Sequence, residues 1–194
     1  MSFTKSPLYS CIEILKDGGL AVIPTDTVYG VVCRAADQNA VKRLYGLKSR
    51  ASKPGTIIAS SIDQLVELGI KRRYLTAVSQ FWPNPISIEI PHDIGYLSQS
   101  TGRQAFRVVK NKDLQNILDQ TGPLLTSSAN LPNQPHAKNT ADAKRYFGDK
   151  IDFYLDGGEK TEEKPSTLIR IVDDAVEILR EGSIKVNEKG EIEE

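Results

Sequence analysis

Apolar positions recur along this chain in two rhythms, one of about 3.6 residues and one of 2. Over residues 8–17, Ile12 and Leu15 share one helical face, and Gly18 and Gly19 stop the helix. LAVIP at 20–24 reads as a short buried strand ended by Pro24. Residues 38–48 read as a helix, with Val41, Leu44, Tyr45 and Lys48 at i, i+3, i+4 and i+7. TIIAS at 56–60 reads as a strand, and Ser61 with Gln64 forms a capping-box pair for a helix that ends near Gly69. Residues 73–81 read as a further helix. PISIEIP at 85–91 alternates Ile86, Ile88 and Ile90 with Ser87 and Glu89, which predicts a half-buried strand. QAFRVV at 104–109 reads as a strand. Asn111 to Gln120 reads as a helix with Leu114, Ile117 and Leu118 inward and Gly122 beyond its end. LLTSS at 124–128 is a strand opening into a polar loop, and 140–147 is a short helix before Gly148. IDFYL, STLIRIV and AVEIL read as three closing strands. Helical crossovers mixed with hairpins predict an α/β fold of the α+β type: a twisted, mixed parallel and antiparallel sheet with flanking helices, not a doubly wound parallel one. We expect one domain over 1–182 and an acidic, frayed C-terminal tail over 183–194.

Composition narrows this little. The 194 residues suit one domain, and 39% apolar with 26% charged residues describes a globular chain. Lys plus Arg (25) cancel Asp plus Glu (25), so no global charge draws the chain to nucleic acid or membrane. The charge is nevertheless segregated. Between Gln38 and Ile62 lie Lys42, Arg43, Lys48, Arg50 and Lys53 with no acid; between Ile94 and Lys112 lie Arg103, Arg107, Lys110 and Lys112, again with no acid. One such run alone is an ordinary solvated face. Two of them beside Ser/Thr-rich loops point to an anion site. No apolar run approaches the roughly 18 residues of a membrane span, and the N-terminus lacks the apolar core of a secretory signal. Cys11 and Cys33 are too far apart for a disulfide framework or a metal knuckle, and two His exclude an HExxH zinc site. We therefore expect no protein metal site, a reducing cytoplasmic location and no membrane partner.

Three segments look unlike core. Pro24-Thr25-Asp26-Thr27-Val28-Tyr29-Gly30 follows a buried strand and displays hydroxyls and a carboxylate at its end. Lys48-Ser49-Arg50-Ala51-Ser52-Lys53-Pro54 sets cations just past a helix, where Arg offers a fork and Lys a point charge to an anion. Thr126-Ser127-Ser128-Ala129-Asn130 closes an apolar strand. Taken singly, the first reads as a turn satisfied by its own side chains and the third as an ST-turn. None is a Walker loop, a GxGxxG or a GxSxG motif.

Together they resemble the YrdC (TsaC) family of threonylcarbamoyl-AMP synthases in its single-domain form. The chain carries PTDTVYG at 24–30, KSR at 48–50, WPNP at 82–85, AFRV at 105–108, TSSAN at 126–130, GG at 157–158 and ST at 166–167. Order and spacing follow the family from about residue 8 to 182. Lys53 comes one residue earlier than the family's lysine, and Asn84 stands where the family has Gly. The resemblance implies a YrdC-like fold and assigns residues as follows. Thr27, Arg107, Thr126 and Ser166 bind threonine, with Arg107 on its carboxylate. Lys48 and Arg50 face the ATP phosphates and act in catalysis, joined by Lys53. Ser128, Asn130, His136 and Arg180 lie near the nucleotide.

The implied reaction joins L-threonine, bicarbonate and ATP into threonylcarbamoyl-AMP and pyrophosphate, the first step of a tRNA modification completed by downstream proteins. ATP is then a substrate, with Mg²⁺ held mostly by its phosphates and water. No covalent enzyme intermediate is needed; positioning and fixed cations suffice. The alternative is a YrdC-like module that binds RNA, including double-stranded RNA or tRNA, without turnover. With 7% aromatic residues for base stacking and no RRM or KH signature, the sequence supports it less. A carbamoyl-adenylate activity of the hydrogenase-maturation type ranks lower still, since that domain normally sits in a much longer chain.

Overall fold

Strand pairing on both sides of a short apolar run organises this molecule. The structure is a computed structural model and describes residues 6–48, 53–161, 163–173 and 175–193. Helix α1 (Pro7–Lys16) is entered through Ser6, whose hydroxyl accepts from the Tyr9 amide, with Pro7 in its first turn. Then come β1 (Ala21–Pro24) and β2 (Tyr29–Arg34), an antiparallel pair that sets Ala21 opposite Val32 and Pro24 opposite Tyr29. The sequence pattern assigned no strand to 29–34, because Val31-Val32-Cys33 has no alternation of its own. It becomes a strand by pairing with β1 on one side and β6 (Leu124–Ser128) on the other.

The remaining elements are α2 (Gln38–Lys48), β3 (Thr56–Ala59), α3 (Ile62–Glu67), α4 (Arg72–Ala77), β4 (Ile86–Pro91), β5 (Arg103–Val108), α5 (Lys112–Thr121), α6 (Thr140–Phe147), β7 (Phe153–Tyr154), β8 (Thr167–Val172), β9 (Ala175–Arg180), β10 (Lys185–Val186) and β11 (Ile192–Glu193). The helix expected over 73–81 breaks after Ala77 and resumes as one 3₁₀ turn, Ser79–Phe81. Among the described residues nine strands form one sheet in the order β7-β1-β2-β6-β3-β5-β4-β8-β9. The β1–β7, β3–β5 and β4–β8 neighbours are parallel and the others antiparallel, as the mix of crossovers and hairpins predicted. Among the described residues no helix is long and apolar enough to cross a membrane.

Alternation along the strands sorts the interior into two layers. Val31, Leu125, Ile57, Phe106 and Ile88 pack with Val41 and Leu44 of α2, Leu65 of α3 and Phe147 of α6. One step along, Val32, Leu124 and Ile58 pack on the other face with Ile12 and Leu15 of α1 and Ile117 and Leu118 of α5. Beyond α1 and α5 that second face changes character. Gly30, Thr56, Ala105, Arg107 and Thr126 stand at positions alternating with core residues, and they line an open cleft. Strands that give large apolar residues to one layer give small and polar ones to the other.

Residues 183–193 do not fray. β10 and β11 pair antiparallel, Val186 is buried, and Gly190 turns the hairpin at φ +81° against Phe81 and Val176. The Ser183 amide donates to the Pro165 carbonyl and the Val176 amide to that of Glu188. The acidic composition concealed this hairpin, whose inward side rests on one valine.

Candidate active site

The β1–β2 turn is both a locally satisfied turn and a wall of the cleft. Thr25 Oγ1 donates to the Val28 carbonyl at 2.6 Å and accepts from the Thr27 amide at 3.2 Å. Both threonines are buried, and both line the cleft. Gly30 allows the close approach of β6: a Cβ there would lie 2.5 Å from Thr126 Oγ1. The Tyr29 hydroxyl accepts from the Gly157 amide at 2.9 Å and donates to the Gly158 carbonyl at 2.8 Å, which ties the GG segment to the same turn.

Arg107 of β5 is 3% exposed. Its Nη2 donates to Asp26 Oδ1 at 2.7 Å and its Nη1 to Ser87 Oγ at 3.0 Å. Ser87 Oγ lies 2.8 Å from Ser166 Oγ, and Arg180 Nη2 donates to the Ser166 carbonyl at 2.8 Å and to its Oγ at 3.2 Å. Ser87, read in sequence as the polar partner of three isoleucines, is fully buried. β4 is covered on both faces there, with Ile86 and Ile88 in the core layer and Ser87 under the cleft.

The TSSAN loop is held from behind. Lys48, at the inward i+7 position of α2, is 2% exposed. Its ammonium donates to the Ser128 carbonyl at 2.6 Å, to Asn130 Oδ1 at 3.1 Å and to the Asn130 carbonyl. Ser128 Oγ donates to Asn130 Oδ1 at 2.7 Å, and Asn130 Nδ2 to the Gln134 carbonyl at 2.6 Å. The Ala129 amide returns to the Tyr29 carbonyl at 2.8 Å.

The cleft thus gathers Thr27, Arg107, Thr126, Ser128, His136, Ser166 and Arg180. Lys48 and Asn130 stand behind it and shape its loop. Lys53 is exposed and does not line it, and Arg50 lies outside the described residues. The sequence pattern missed Ser87 and left Asp26 as a turn residue; Asp26 sits inside the PTDTVYG motif of the resemblance, whereas Ser87 lies in none of its motifs and gave no signal. Among the described residues, three buried polar atoms of the cleft wall have no hydrogen-bond partner: Arg107 Nε, Ser127 Oγ and His136 Nδ1. Native proteins seldom leave buried polar atoms unpaired, and these three belong to residues of the cleft wall. Burial pushes the His136 pKa below the usual imidazole value, and the positive charges of Lys48 and Arg180 push it further. That end of the cleft carries a positive potential suited to an anion. Cys11 and Cys33 are buried free thiols elsewhere in the fold, with Cys11 pushed up to about 12 by desolvation.

These features define a class: a mixed α/β domain with a cationic, hydroxyl-walled cleft on the open part of its sheet. A family model described as telomere recombination, covering the Sua5, YciO and YrdC proteins, matches residues 13–182, and the chain belongs to this family. It is 32% identical over 162 residues to the threonylcarbamoyl-AMP synthase of Stutzerimonas stutzeri, covering 80% of this chain and 88% of that one. Pyrococcus abyssi Sua5, solved in complex with L-threonine, superimposes with a TM-score of 0.80 at 27% identity. That alignment covers 91% of this chain and 54% of the longer Sua5 chain, so this chain spans about half of it. E. coli YciO shares the fold, with a TM-score of 0.76 at 22% identity over 90% of this chain and 88% of that one.

Proposed function

We propose that this protein is an L-threonylcarbamoyladenylate synthase, a nucleotidyltransferase that converts L-threonine, bicarbonate and ATP into threonylcarbamoyl-AMP, pyrophosphate and water. The observation that carries the reading is the buried guanidinium of Arg107, with Nε unpartnered among the described residues, in a cleft whose far end is electropositive. The synthases among the relatives, and the threonine complex of Sua5, support the choice of substrates.

In this reading the threonine carboxylate takes the free side of Arg107. Its hydroxyl and methyl group meet the hydroxyl-bearing walls at Thr27 and Thr126. Such walls discriminate sharply, because a missing substrate hydroxyl leaves them unpaired. The triphosphate lies toward Ser128, His136 and Arg180, with Arg50 and Lys53 as further cations. Lys48 is a positioning residue that fixes the loop carrying Ser128 and Asn130.

The threonine amine condenses with bicarbonate, releasing water and giving a carbamate. A carbamate oxygen then attacks the α-phosphorus and the bond to pyrophosphate breaks. The protein contributes orientation and fixed positive charge. Among the described residues no group of His, Cys, Asp or Glu side chains could hold a metal ion. In this reading Mg²⁺ comes with ATP, held mostly by its phosphates and water. The product is chemically suited to transfer onto tRNA by a separate protein, which is the partner we infer.

The test is pyrophosphate release from ATP, with L-threonine or bicarbonate omitted in turn. Release that requires both supports the reading. Release that needs neither contradicts it.

A further inference from the structure

We propose that Ser87 couples the two ligand subsites, so that an amino-acid carboxylate at Arg107 and a nucleotide beside Arg180 raise each other's affinity; this rests on the synthase reading above. An unbroken chain of polar contacts joins the two ends. Asp26 Oδ1 and Arg107 Nη2 are 2.7 Å apart, Arg107 Nη1 and Ser87 Oγ 3.0 Å, Ser87 Oγ and Ser166 Oγ 2.8 Å, and Ser166 Oγ and Arg180 Nη2 3.2 Å. Ser87 is fully buried, and Ser166 and Arg107 are each 3% exposed. Ser87 does not line the cleft, so it touches neither ligand.

Proton counting gives the chain a direction. A serine hydroxyl has one proton and two lone pairs. Ser87 Oγ accepts from Arg107, and its other oxygen neighbour among the described residues is Ser166 Oγ, so its proton goes there. Ser166 Oγ then accepts from Ser87 and from Arg180, which leaves its own proton for the cleft. The reverse orientation would bury the Ser87 proton without an acceptor. The Ser166 hydroxyl thus stands at the cleft as a donor, joined to Arg107 through Ser87 and held in place by Arg180, the residue of the other subsite. In a water-poor interior such chained hydrogen bonds strengthen one another. Ordering one end therefore prepares the other, and linkage requires the effect to be equal in both directions.

Isothermal titration of L-threonine into the full chain, with and without α,β-methylene-ATP, reads this directly. For the wild type we expect the analogue to tighten threonine binding by about fivefold or more. In Ser87→Ala each ligand still binds, and the tightening falls to near onefold. Ser87→Thr, which keeps the hydroxyl, retains most of it. Should Ser87→Ala not fold, Ser87→Cys keeps the volume with a poor hydrogen-bonding group and carries the same expectation. An unchanged factor in a folded Ser87→Ala protein, or a wild-type factor of one, overturns the coupling. A wild type that binds neither ligand contradicts the synthase reading itself, and the coupling with it.

Discussion

Asp26 and Arg107 form the least exposed ion pair among the described residues, with side chains 13% and 3% exposed and a 2.7 Å contact. They are far apart in sequence and belong to different motifs. The β1–β2 turn lays Asp26 against β5, so that one carboxylate fixes the guanidinium, whose buried Nε has no hydrogen-bond partner among the described residues. Removing one partner of a buried pair leaves an uncompensated charge and costs about 3–5 kcal/mol. We expect Asp26→Ala to lose stability on that scale in urea unfolding and to weaken threonine binding. Asp26→Asn, whose amide oxygen still accepts, should lose less.

Lys48 gives a separate prediction. Its ammonium serves the Ser128 and Asn130 oxygens from the side away from the cleft. Lys48→Met removes the donor and leaves buried acceptors unpaired, at about 1–3 kcal/mol. Steady-state kinetics should then show a raised KM for ATP, with threonine binding in the absence of nucleotide changed less.

His136 predicts a pH dependence. Its pKa is lowered in the folded protein, first by burial and then by Lys48 and Arg180. The unfolded chain therefore binds the proton at a higher pH than the folded one. Stability is full above the ordinary imidazole value of about 6.5 and falls as pH drops through and below it. His92, lowered by burial, contributes with the same sign. Melting curves from pH 7.5 to 5.5 should decline toward acid, and His136→Asn should flatten part of that decline. A bound polyphosphate opposes the effect of the two cations, so nucleotide binding should be accompanied by proton uptake in this range.

The C-terminal hairpin predicts that truncation after Gly182 is harmful. Gly182 itself presses on the start of β8, where an added Cβ would fall 2.4 Å from the Pro165 carbonyl. The Ile184 carbonyl accepts from the Thr167 hydroxyl, beside Ser166. Deleting 183–194 should lower the melting temperature and raise the KM for threonine. Unchanged values would show that the hairpin supports neither.

Much of this was legible in the sequence, for identifiable reasons. Helices with one apolar face, such as α2 and α5, and strands with clean alternation, such as β4, declare themselves through period alone. What escaped depends on tertiary pairing. β2 is buried on both faces and shows no alternation. Ser87 looks like a solvent-side residue until β8 and β5 flank its strand and bring Ser166 and Arg107 to it. Lys48 lies on the apolar stripe of α2, yet which oxygens would meet its ammonium depends on a loop 80 residues away. The candidate site was legible as a set of motifs, and the contacts that organise it were not.

The most direct test of the central claim is mass spectrometry of the product formed from ATP, L-threonine and ¹³C-bicarbonate. The account predicts threonylcarbamoyl-AMP that carries the label, with pyrophosphate in equal amount. Adenylate without the label, or AMP and pyrophosphate with no threonine adduct, would contradict it.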